Sequence, residues 1–488
     1  MTRARHDLPT TGDLSATELR ESGERALEWI ARYLDEPERV RVLPNVAPGD
    51  VRKKLPAAPP AKPETMEAIL TDFEDVIVPA LTHWNHPGFF GYFATSSSVP
   101  GIVGELLSAA VDVKAMLWKT SPAATELEQV VTGWLRQMIG LDSGWFGMTT
   151  DTASMSSMLA LAAAREARPE LKIRELGMAG RPELPVLRIY TSEHAHSSIE
   201  KGALALGIGS ANVVKIGCDN EFRMRPDLLR TAIERDVAGG ALPIACVATV
   251  GTTGVASVDP VSEIAAICKS FGIWLHVDAA YAGVAAILPE RRSVLAGVQD
   301  ADSLVINPHK WLFTPFDCSV LYLRREEALS RAFSLVPEYL STREDENVVN
   351  YMDYGVQLGR RFRALKLWMV IRAFGVDGLA ARIRDHCEIA TELAAQIAGT
   401  ATWQVLAPVH FGLVVFRCAP TGMSPADADA LNEHIMHAVN EKGEVFLSHT
   451  KVRDRYAIRL SIGNIRSTRE HVARAWTLLL DAASHATR

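Results

Sequence analysis

The sequence predicts an α/β protein whose core is a mostly parallel sheet with helices on both faces. Short apolar runs rich in β-branched residues alternate with helical stretches from about residue 120 onward. The clearest runs occupy 185–192, 243–250, 273–280, 303–307 and 319–324. Between the second and third of these runs, residues 261–272 are predicted to form a helix that ends at Gly272. Apolar strands separated by helices are typical of parallel sheets, because both faces of such sheets are buried.

The length and composition set limits on the kind of protein. A chain of 488 residues is too long for one ordinary core and predicts two or three domains. Apolar residues make up 48% and charged residues 22%, which is the profile of a globular protein. A net charge of −7 without a basic block gives no electrostatic support for nucleic-acid binding. No apolar run has the length of a signal peptide or a membrane span, so we expect a cytoplasmic protein with no membrane partner.

The cysteines point the same way. Six of them are widely separated, and no CxxC or CxxxC pair suggests a metal site. The sparse count is typical of proteins from a reducing compartment. We therefore predict no bound metal.

The N-terminal segment is predicted to be a helix followed by an extended connector. Ser15 and Glu18 have capping-box spacing, and an apolar stripe follows at helical intervals from Leu19 to Leu34. Six prolines between Pro44 and Pro63 then predict an extended connector rather than a packed element. The helix needs a surface to cover its stripe, and a second subunit would provide one.

The remaining chain divides into a large and a small unit. The last hundred residues mix helices, such as 424–442, with an apolar run at 410–417, which predicts a smaller α+β domain. We expect an N-terminal helical segment with its connector at 1–85, a large domain at 86–380 and a small domain at 381–488.

Lys310 is the first candidate functional residue. It lies just after the predicted strand 303–307, where open α/β sheets bind ligands. Burying an ammonium group is expensive, and one use for a lysine there is covalent attachment of an aldehyde. Taken alone, a lysine exposed at a strand end is the simpler interpretation.

Asp278 strengthens the functional interpretation of Lys310. It ends the run 273–280 and is followed by small residues. A carboxylate in this position can keep a pyridine nitrogen protonated, so that the ring accepts electrons. A helix cap or a structural ion pair is the alternative for an isolated aspartate. One αβ-sized unit separates Asp278 from Lys310, and this paired pattern is much more specific than either residue.

His196 follows the predicted strand 185–192 and could stack on an aromatic ring or transfer protons. His194 competes for this role, because period-two spacing would place both rings on one face of an extended segment. A phosphate site is indicated at 149–157, where hydroxyl residues precede a strong helix, although such clusters are usually simple caps. Asp151 in that segment is unfavourable near a phosphate unless it points away.

Several motifs together resemble the group II pyridoxal 5′-phosphate (PLP)-dependent decarboxylases, and most closely the aromatic-L-amino-acid decarboxylases. The resemblance covers essentially the whole chain, with the motifs in the family's order. They are HWNHPGFFGYFAT at 83–95, SPAATELE at 121–128, AHSS at 195–198, ATVGTTG at 248–254, HVDAAYAG at 276–283, NPHKW at 307–311 and LGRRFRALKLW at 358–368.

The resemblance implies a type I PLP fold of the aspartate aminotransferase kind, with a seven-stranded, mostly parallel central sheet. It also implies a homodimer with active sites at the interface. By motif, Lys310 would anchor PLP, Asp278 would contact the ring nitrogen and His196 would stack on the ring. Further cofactor positions would be Ala153, Ser154, Thr253, Asn307 and His309. Tyr339 matches the tyrosine of a mobile catalytic loop.

The substrate positions implied by the resemblance are Trp84, Tyr92, Thr95, Met116 and Gly359, together with His196. The chain departs from the family pattern in three places. Residues 151–156 read DTASMS where GSASEA is usual, Ala94 replaces a proline, and Met116 occupies an aromatic pocket position. Gly359 before the arginine pair resembles the enzymes that act on aromatic amino acids.

The implied activity is decarboxylation of an aromatic L-amino acid to the amine and CO₂. One alternative is an aldehyde synthase, which adds oxygen-dependent loss of the amine. Tyr339 and His196 both argue against this alternative. Aldehyde-forming relatives tend to carry phenylalanine at the position of Tyr339. An aminotransferase and a PLP-binding protein without catalytic activity are more distant alternatives.

Overall fold

A computed structural model describes residues 12–335 and 348–486. Within them, a seven-stranded sheet has the order β1-β7-β6-β5-β4-β2-β3. Its strands are β1 (Phe146–Thr150), β2 (Leu187–Ser192), β3 (Val213–Ile216), β4 (Leu242–Thr249), β5 (Trp274–Asp278), β6 (Ser303–Ile306) and β7 (Ser319–Leu323). Strands β2 to β6 pair in parallel, and β7 is antiparallel to both β1 and β6. The predicted mostly parallel sheet is confirmed.

The helices connect these strands and cover the sheet. In chain order they are α1 (Ala16–Asp35), α2 (Asp50–Lys54), α3 (Met66–Asp72), α4 (Val99–Val111), α5 (Pro122–Met138), α6 (Ala153–Glu166), α7 (Ile173–Leu176), α8 (Ser198–Ala205), α9 (Pro226–Ala238), α10 (Val261–Phe271), α11 (Pro308–Trp311), α12 (Glu326–Phe333), α13 (Arg363–Ala398), α14 (Pro425–Lys442) and α15 (Arg469–Ala486).

Both faces of the central sheet are buried, as alternate residues of β4 demonstrate. Val247 belongs to the apolar cluster that contains Leu161 of α6. Its neighbour Cys246 belongs to the cluster on the opposite face, with Ile233 of α9 and Ile264 of α10. Strands buried on both faces read as continuous apolar runs, which explains why the sequence signal was clear.

A second, smaller sheet lies in the C-terminal part of the chain. It is antiparallel, with the order β10-β11-β9-β8, formed by β8 (Trp403–Val405), β9 (Leu413–Cys418), β10 (Ser448–Val452) and β11 (Arg455–Ser461). Its apolar core includes residues of α14, α15 and the second half of α13. The expected small α+β unit is therefore present. The predicted boundary at 380/381 falls within α13, after a kink at Gly375, whose φ is 64°.

In the N-terminal segment the predicted helix is confirmed, whereas the predicted extended connector is wrong in part. Ser15 caps α1, and its side chain and that of Glu18 form the predicted capping box. The proline-rich connector, however, is not extended throughout, because residues 50–54 form the short helix α2. Asp50 starts this turn by accepting a 2.9 Å hydrogen bond from the amide of Ala47, and no proline lies inside the helix.

No helix in the described part of the chain combines the length and apolar character that crossing a membrane requires.

Candidate active site

Asp278 and Lys310 lie at the carboxyl edge of the central sheet, as predicted. Asp278 is the last residue of β5, and Lys310 lies in the short helix α11 directly after the adjacent parallel strand β6. Burial lowers the pKa of the Lys310 amine, and the carboxylate of Asp278 opposes this shift. The two groups are thus close enough to interact electrostatically, and burial favours the neutral, nucleophilic form of the amine.

His196 belongs to the same cluster. Burial lowers the pKa of its imidazole, while Asp278 raises it and Lys310 lowers it further. Its Nδ1 accepts a hydrogen bond of 3.2 Å from the amide of Ser198, so the ring proton resides on Nε2. This arrangement fixes both the tautomer and the orientation of the ring.

The expectation that His194 and His196 share one face is wrong. The amide of Ala195 donates to the carbonyl of Ser192, and this turn replaces the extended segment that period-two spacing requires. The ring of His194 instead lies edge-on against Phe222, with 5.6 Å between the centroids. The structure therefore selects His196 as the histidine of the cluster.

Asn307 and His309 flank Lys310 in buried positions. Their side chains are 3.3 Å apart, between Nδ2 of Asn307 and Nε2 of His309. Nδ1 of His309 accepts a 2.9 Å hydrogen bond from the amide of Cys318. Burial lowers the pKa of His309 to about 3, so this ring stays neutral beside the amine. Among the described residues, Oδ1 of Asn307 is buried without a hydrogen-bond partner.

The predicted phosphate segment is the start of α6. Ala153 is the first residue of the helix and Ser154 is exposed there, so the free amide groups of the first turn point to an accessible surface. Oδ1 of Asp151 accepts hydrogen bonds from the amide of Thr152 at 2.6 Å and from its hydroxyl at 3.2 Å. Its charge is therefore partly neutralised by local donors.

Arg459 of β11 joins this edge of the sheet to the small unit, although sequence reasoning did not identify it. Its guanidinium donates to the carbonyl of Thr253 at 2.7 Å and to that of Gly254 at 3.1 Å. Burial lowers its pKa to about 10. A charged residue inside the otherwise apolar run from Tyr456 to Leu460 was the available signal. Thr253 is thus brought to the site through its backbone, while its side chain is exposed.

Phe93 and Tyr281 form an aromatic floor that the sequence analysis also missed. Their rings are stacked, with centroids 3.6 Å apart. Nζ of Lys310 lies 5.7 Å from the centroid of Phe93, and the guanidinium carbon of Arg459 lies 5.5 Å from it. Phe93 lies in the motif at 83–95 and Tyr281 in the motif at 276–283, so both residues belong to motifs that carry the family resemblance.

The predicted substrate residues fall into two groups. Trp84 and Tyr92 are stacked at 5.7 Å, are both partly exposed, and lie in the segment that carries Phe93 to Lys310. Thr95 is half-buried and lines a cavity of about 170 Å³ together with Trp84.

The second group consists of Met116 and Gly359. The carbonyl of Met116 accepts a hydrogen bond from the amide of Met352, and Met116 packs against Leu117. Gly359 is exposed, and a Cβ placed on it would meet no atom within 4 Å in the described chain. Tyr339 lies outside the described residues.

The residues present fit PLP. The aldehyde needs an amine that is neutral, the ring nitrogen a carboxylate, and the phosphate a helix start with free amides. Lys310, Asp278 and α6 offer these three groups at one edge of the sheet. In addition, the hydroxyl of Thr249, the strand neighbour of Asp278, is buried without a hydrogen-bond partner in the described structure. Fold and site together define a PLP-dependent enzyme of the α/β class.

Comparison with known proteins agrees with this class. Residues 48–419 match the model of the pyridoxal-dependent decarboxylase conserved domain. The chain is 38% identical to tryptophan decarboxylase 2 of Oryza sativa subsp. japonica, over 96% of this chain and 95% of that protein. It is 37% identical to phenylacetaldehyde synthase of Arabidopsis thaliana, over 97% of each chain. The crystal structure of Oryza sativa TDC with PLP and tryptamine superimposes with a TM-score of 0.94 at 34% identity, covering 98% of this chain and 100% of that one.

The chain belongs to the pyridoxal-dependent decarboxylase family. It is a PLP-dependent carboxy-lyase that acts on an amino acid, and the predicted cofactor, enzyme class and type I PLP fold are confirmed.

Proposed function

We propose that this enzyme decarboxylates an aromatic L-amino acid, of the tryptophan, tyrosine, phenylalanine or DOPA type, at the cluster around Lys310. The stacked rings of Phe93 and Tyr281 carry this proposal, because Nζ of Lys310 lies 5.7 Å from the centroid of Phe93. Aromatic side chains prefer offset or edge contacts with other rings, each worth about 0.5–1.5 kcal/mol beyond burial. The aromatic substrates named for the relatives support the same assignment.

The proposed roles follow from position. Lys310 would hold the cofactor, Asp278 would contact its ring nitrogen, and His196 would lie against the ring. Ala153, Ser154 and Asn307 would lie at the phosphate end, and Thr253 and His309 would be further cofactor contacts. When bound, PLP supplies an electron-accepting ring.

The protein's own groups then control charge and protons. Asp278 keeps the ring nitrogen protonated, which favours electron flow into the ring when the carboxyl group leaves. His196 is held with its proton on Nε2, away from the backbone, where it can serve an acid–base step. Tyr339 or His196 returns a proton to the substrate Cα.

A homodimer would complete the site. Within the described residues, Met116 packs against Leu117, its carbonyl accepts from the amide of Met352, and the amide of Ala115 donates to the carbonyl of Arg360, the neighbour of Gly359. We propose that a second copy of the chain brings one of the two groups of substrate positions to the other. We also propose three domains, with boundaries after residues 85 and 380. The six free cysteines support a cytoplasmic location.

A panel of the twenty L-amino acids, with DOPA added, tests this proposal. Released CO₂, amine, aldehyde and oxygen uptake are measured under air and under nitrogen. We expect equal amounts of CO₂ and amine from one or more aromatic substrates, without oxygen uptake. Faster decarboxylation of any non-aromatic amino acid would overturn the aromatic assignment. Stoichiometric aldehyde and oxygen consumption would identify an aldehyde synthase instead.

A further inference from the structure

Three side chains with metal-binding atoms converge beside the turn that leads to His196. Glu193 and His194 are the residues directly after β2, and Cys218 follows β3, the adjacent parallel strand. One ligand atom from each of the three lies within 4.8 Å of the others. None of them belongs to the decarboxylation site proposed above.

The backbone around these residues is held by the ends of two paired strands. The amide of Glu193 donates to the carbonyl of Ile216 at 3.0 Å. The amide of Cys218 donates to a carboxylate oxygen of Glu193 at 3.0 Å, and Sγ of Cys218 lies 3.2 Å from the hydroxyl of Ser192. The amide of His194 also donates to that hydroxyl, at 3.0 Å. Ligands placed on strand ends need little reorganisation when an ion binds.

We propose that Glu193, His194 and Cys218 form a zinc-binding site at the end of β2 and β3. Thiolate, imidazole and carboxylate are the donors zinc takes in proteins, and three of them leave a fourth position for water. Donor atoms around tetrahedral zinc lie roughly 3.5 Å apart, so small rotations of side chains whose ligand atoms lie within 4.8 Å of one another bring them to one ion. Glu193 is exposed and His194 and Cys218 are half-buried, which leaves room for that movement.

Accessibility favours this cysteine over the other five. Cys218 is half-buried, whereas the remaining cysteines are buried. Burial raises the pKa of the Cys218 thiol to about 12, with Asp259 and Glu193 adding to the shift. The thiol is therefore neutral before binding, and zinc displaces its proton to solvent. The dication then meets one thiolate and one carboxylate, so the filled site is electrically balanced.

Occupation of the site restrains the turn that carries His196. Glu193 and His194 occupy the centre of that turn, and the hydrogen bond from Ala195 to Ser192 closes it. An ion bound to Glu193, His194 and Cys218 ties this turn to the end of β3 and so restricts the motion of the backbone that leads to His196. Zinc is therefore expected to slow decarboxylation, a consequence that rests on the proposed role of His196.

Competition between the holoenzyme and a chromogenic zinc chelator measures the site directly, in buffer with a reductant that contains no thiol. We expect one zinc ion per chain in the wild type. Binding should weaken at least tenfold in Cys218→Ser, His194→Gln and Glu193→Gln, and remain unchanged in the matched controls Cys418→Ser and His434→Gln. Thermal midpoints identify any variant that fails to fold. Wild-type affinity in both Cys218→Ser and His194→Gln would overturn the site.

Cobalt provides a second, spectroscopic measurement. Added Co²⁺ should give a thiolate-to-cobalt charge-transfer band in the wild type and in Cys418→Ser, but not in Cys218→Ser. Absence of the band in a wild type that binds cobalt would exclude Cys218 as a ligand. For the effect on catalysis, zinc should inhibit the wild type and spare Cys218→Ser. Stoichiometric zinc binding without a change in rate would refute the link to His196 while leaving the proposed decarboxylase activity untouched.

Discussion

Burial and the nearby carboxylate of Asp278 shift the pKa of the Lys310 amine in opposite directions. Burial favours the neutral amine, which is the form that attacks an aldehyde, while the nearby carboxylate favours the ammonium. His196 is subject to the same three influences, since burial and Lys310 lower its pKa and Asp278 raises it. Loss of the Asp278 carboxylate therefore removes the group that opposes the effect of burial on both Lys310 and His196.

Replacing Asp278 by asparagine should keep the fold but depress the rate. The amide oxygen of asparagine can still accept the 3.1 Å hydrogen bond from the amide of Ala280. It cannot hold a ring nitrogen protonated, so we expect a decrease of about 10²-fold or more in kcat, or roughly 3 kcal/mol of transition-state stabilisation. Visible absorbance of the bound cofactor should persist. Asp300→Asn, at an exposed position, serves as the control. A loss below about threefold would make Asp278 a structural residue.

Tyr339→Phe removes only a hydroxyl and tests the proposed proton donor. Without that proton, the decarboxylated substrate survives longer and can react with dissolved oxygen. The variant should still release CO₂ but form less amine and more aldehyde, ammonia and peroxide under air than under nitrogen. Product analysis of both enzymes decides the matter. Unchanged amine yield without oxygen uptake would reject Tyr339 as the proton donor and assign that role to His196 or to a water molecule.

Among the helices, α4 has an inverted pattern of small and large residues. Its buried positions are Gly101 and Gly104, and a Cβ on Gly104 would lie 2.6 Å from Cα of Lys366 in α13. The large apolar residues of α4 face outward instead, and they are Val99, Val103, Leu106, Leu107 and Val111. An exposed apolar stripe of this kind is typical of an interaction surface, and we expect it to meet the second copy in the proposed homodimer.

Arg360 links this region to the cofactor edge of the sheet. Its guanidinium forms a buried ion pair of 2.6 Å with Glu128 of α5 and donates to the carbonyls of Thr149 and Ala115. The same arginine is the neighbour of Gly359. A single buried cation therefore holds the segments of Met116 and Gly359 against β1, which leads into the proposed phosphate site.

Leu106→Glu should separate the proposed dimer. A carboxylate in the centre of the apolar stripe would be desolvated by association, which is costly without a partner. Sedimentation should show monomers, and activity should fall in parallel because the two groups of substrate residues are separated. Val237→Glu places the same charge on the exposed face of α9 and should change neither property. A Leu106→Glu variant that stays dimeric, or an active monomer, would contradict the shared site.

At the scale of the whole molecule, buried neutral histidines make the fold sensitive to acid. Burial lowers the pKa of four of them to about 3 or 4, and these are His86, His276, His309 and His386. In the unfolded chain each would bind a proton near pH 6.5, so the unfolded state takes up more protons below that pH. Their stabilisation is present above pH 6.5 and declines as the pH falls toward 4.

Asp259 acts in the opposite direction, because burial raises its pKa to about 6. Its contribution is present below the unfolded pKa near 4 and is lost as the pH rises through 6. One carboxyl group does not offset four histidines, so the thermal midpoint of the holoenzyme should fall by several degrees between pH 7 and pH 5. The midpoint of His386→Gln should fall less over this pH range, whereas that of the control His434→Gln should fall as much as the wild type's. A midpoint that is constant or rises toward pH 5 would refute this explanation.

Much of the molecule could be predicted from its sequence because two signals were strong. Strands buried on both faces, such as β4, give unbroken apolar runs, and Asp278 and Lys310 end or follow such runs. The helix α2 was missed because the prolines around it obscured five residues that contain none. Phe93, Tyr281 and Arg459 were missed because their roles arise from contacts between distant segments. His194 was misplaced because a turn, which has no period-two signature, interrupts the extended pattern.

Every other role proposed for the site depends on attachment of the cofactor to Lys310. Borohydride reduction of the holoenzyme fixes the cofactor to the side chain that holds it, and peptide mapping by mass spectrometry then locates the added mass. We expect the modification on the peptide that contains Lys310, and neither modification nor visible absorbance in a folded Lys310→Ala variant. Modification of a different lysine, or multiple turnovers at a near-normal rate in Lys310→Ala, would contradict the assignment.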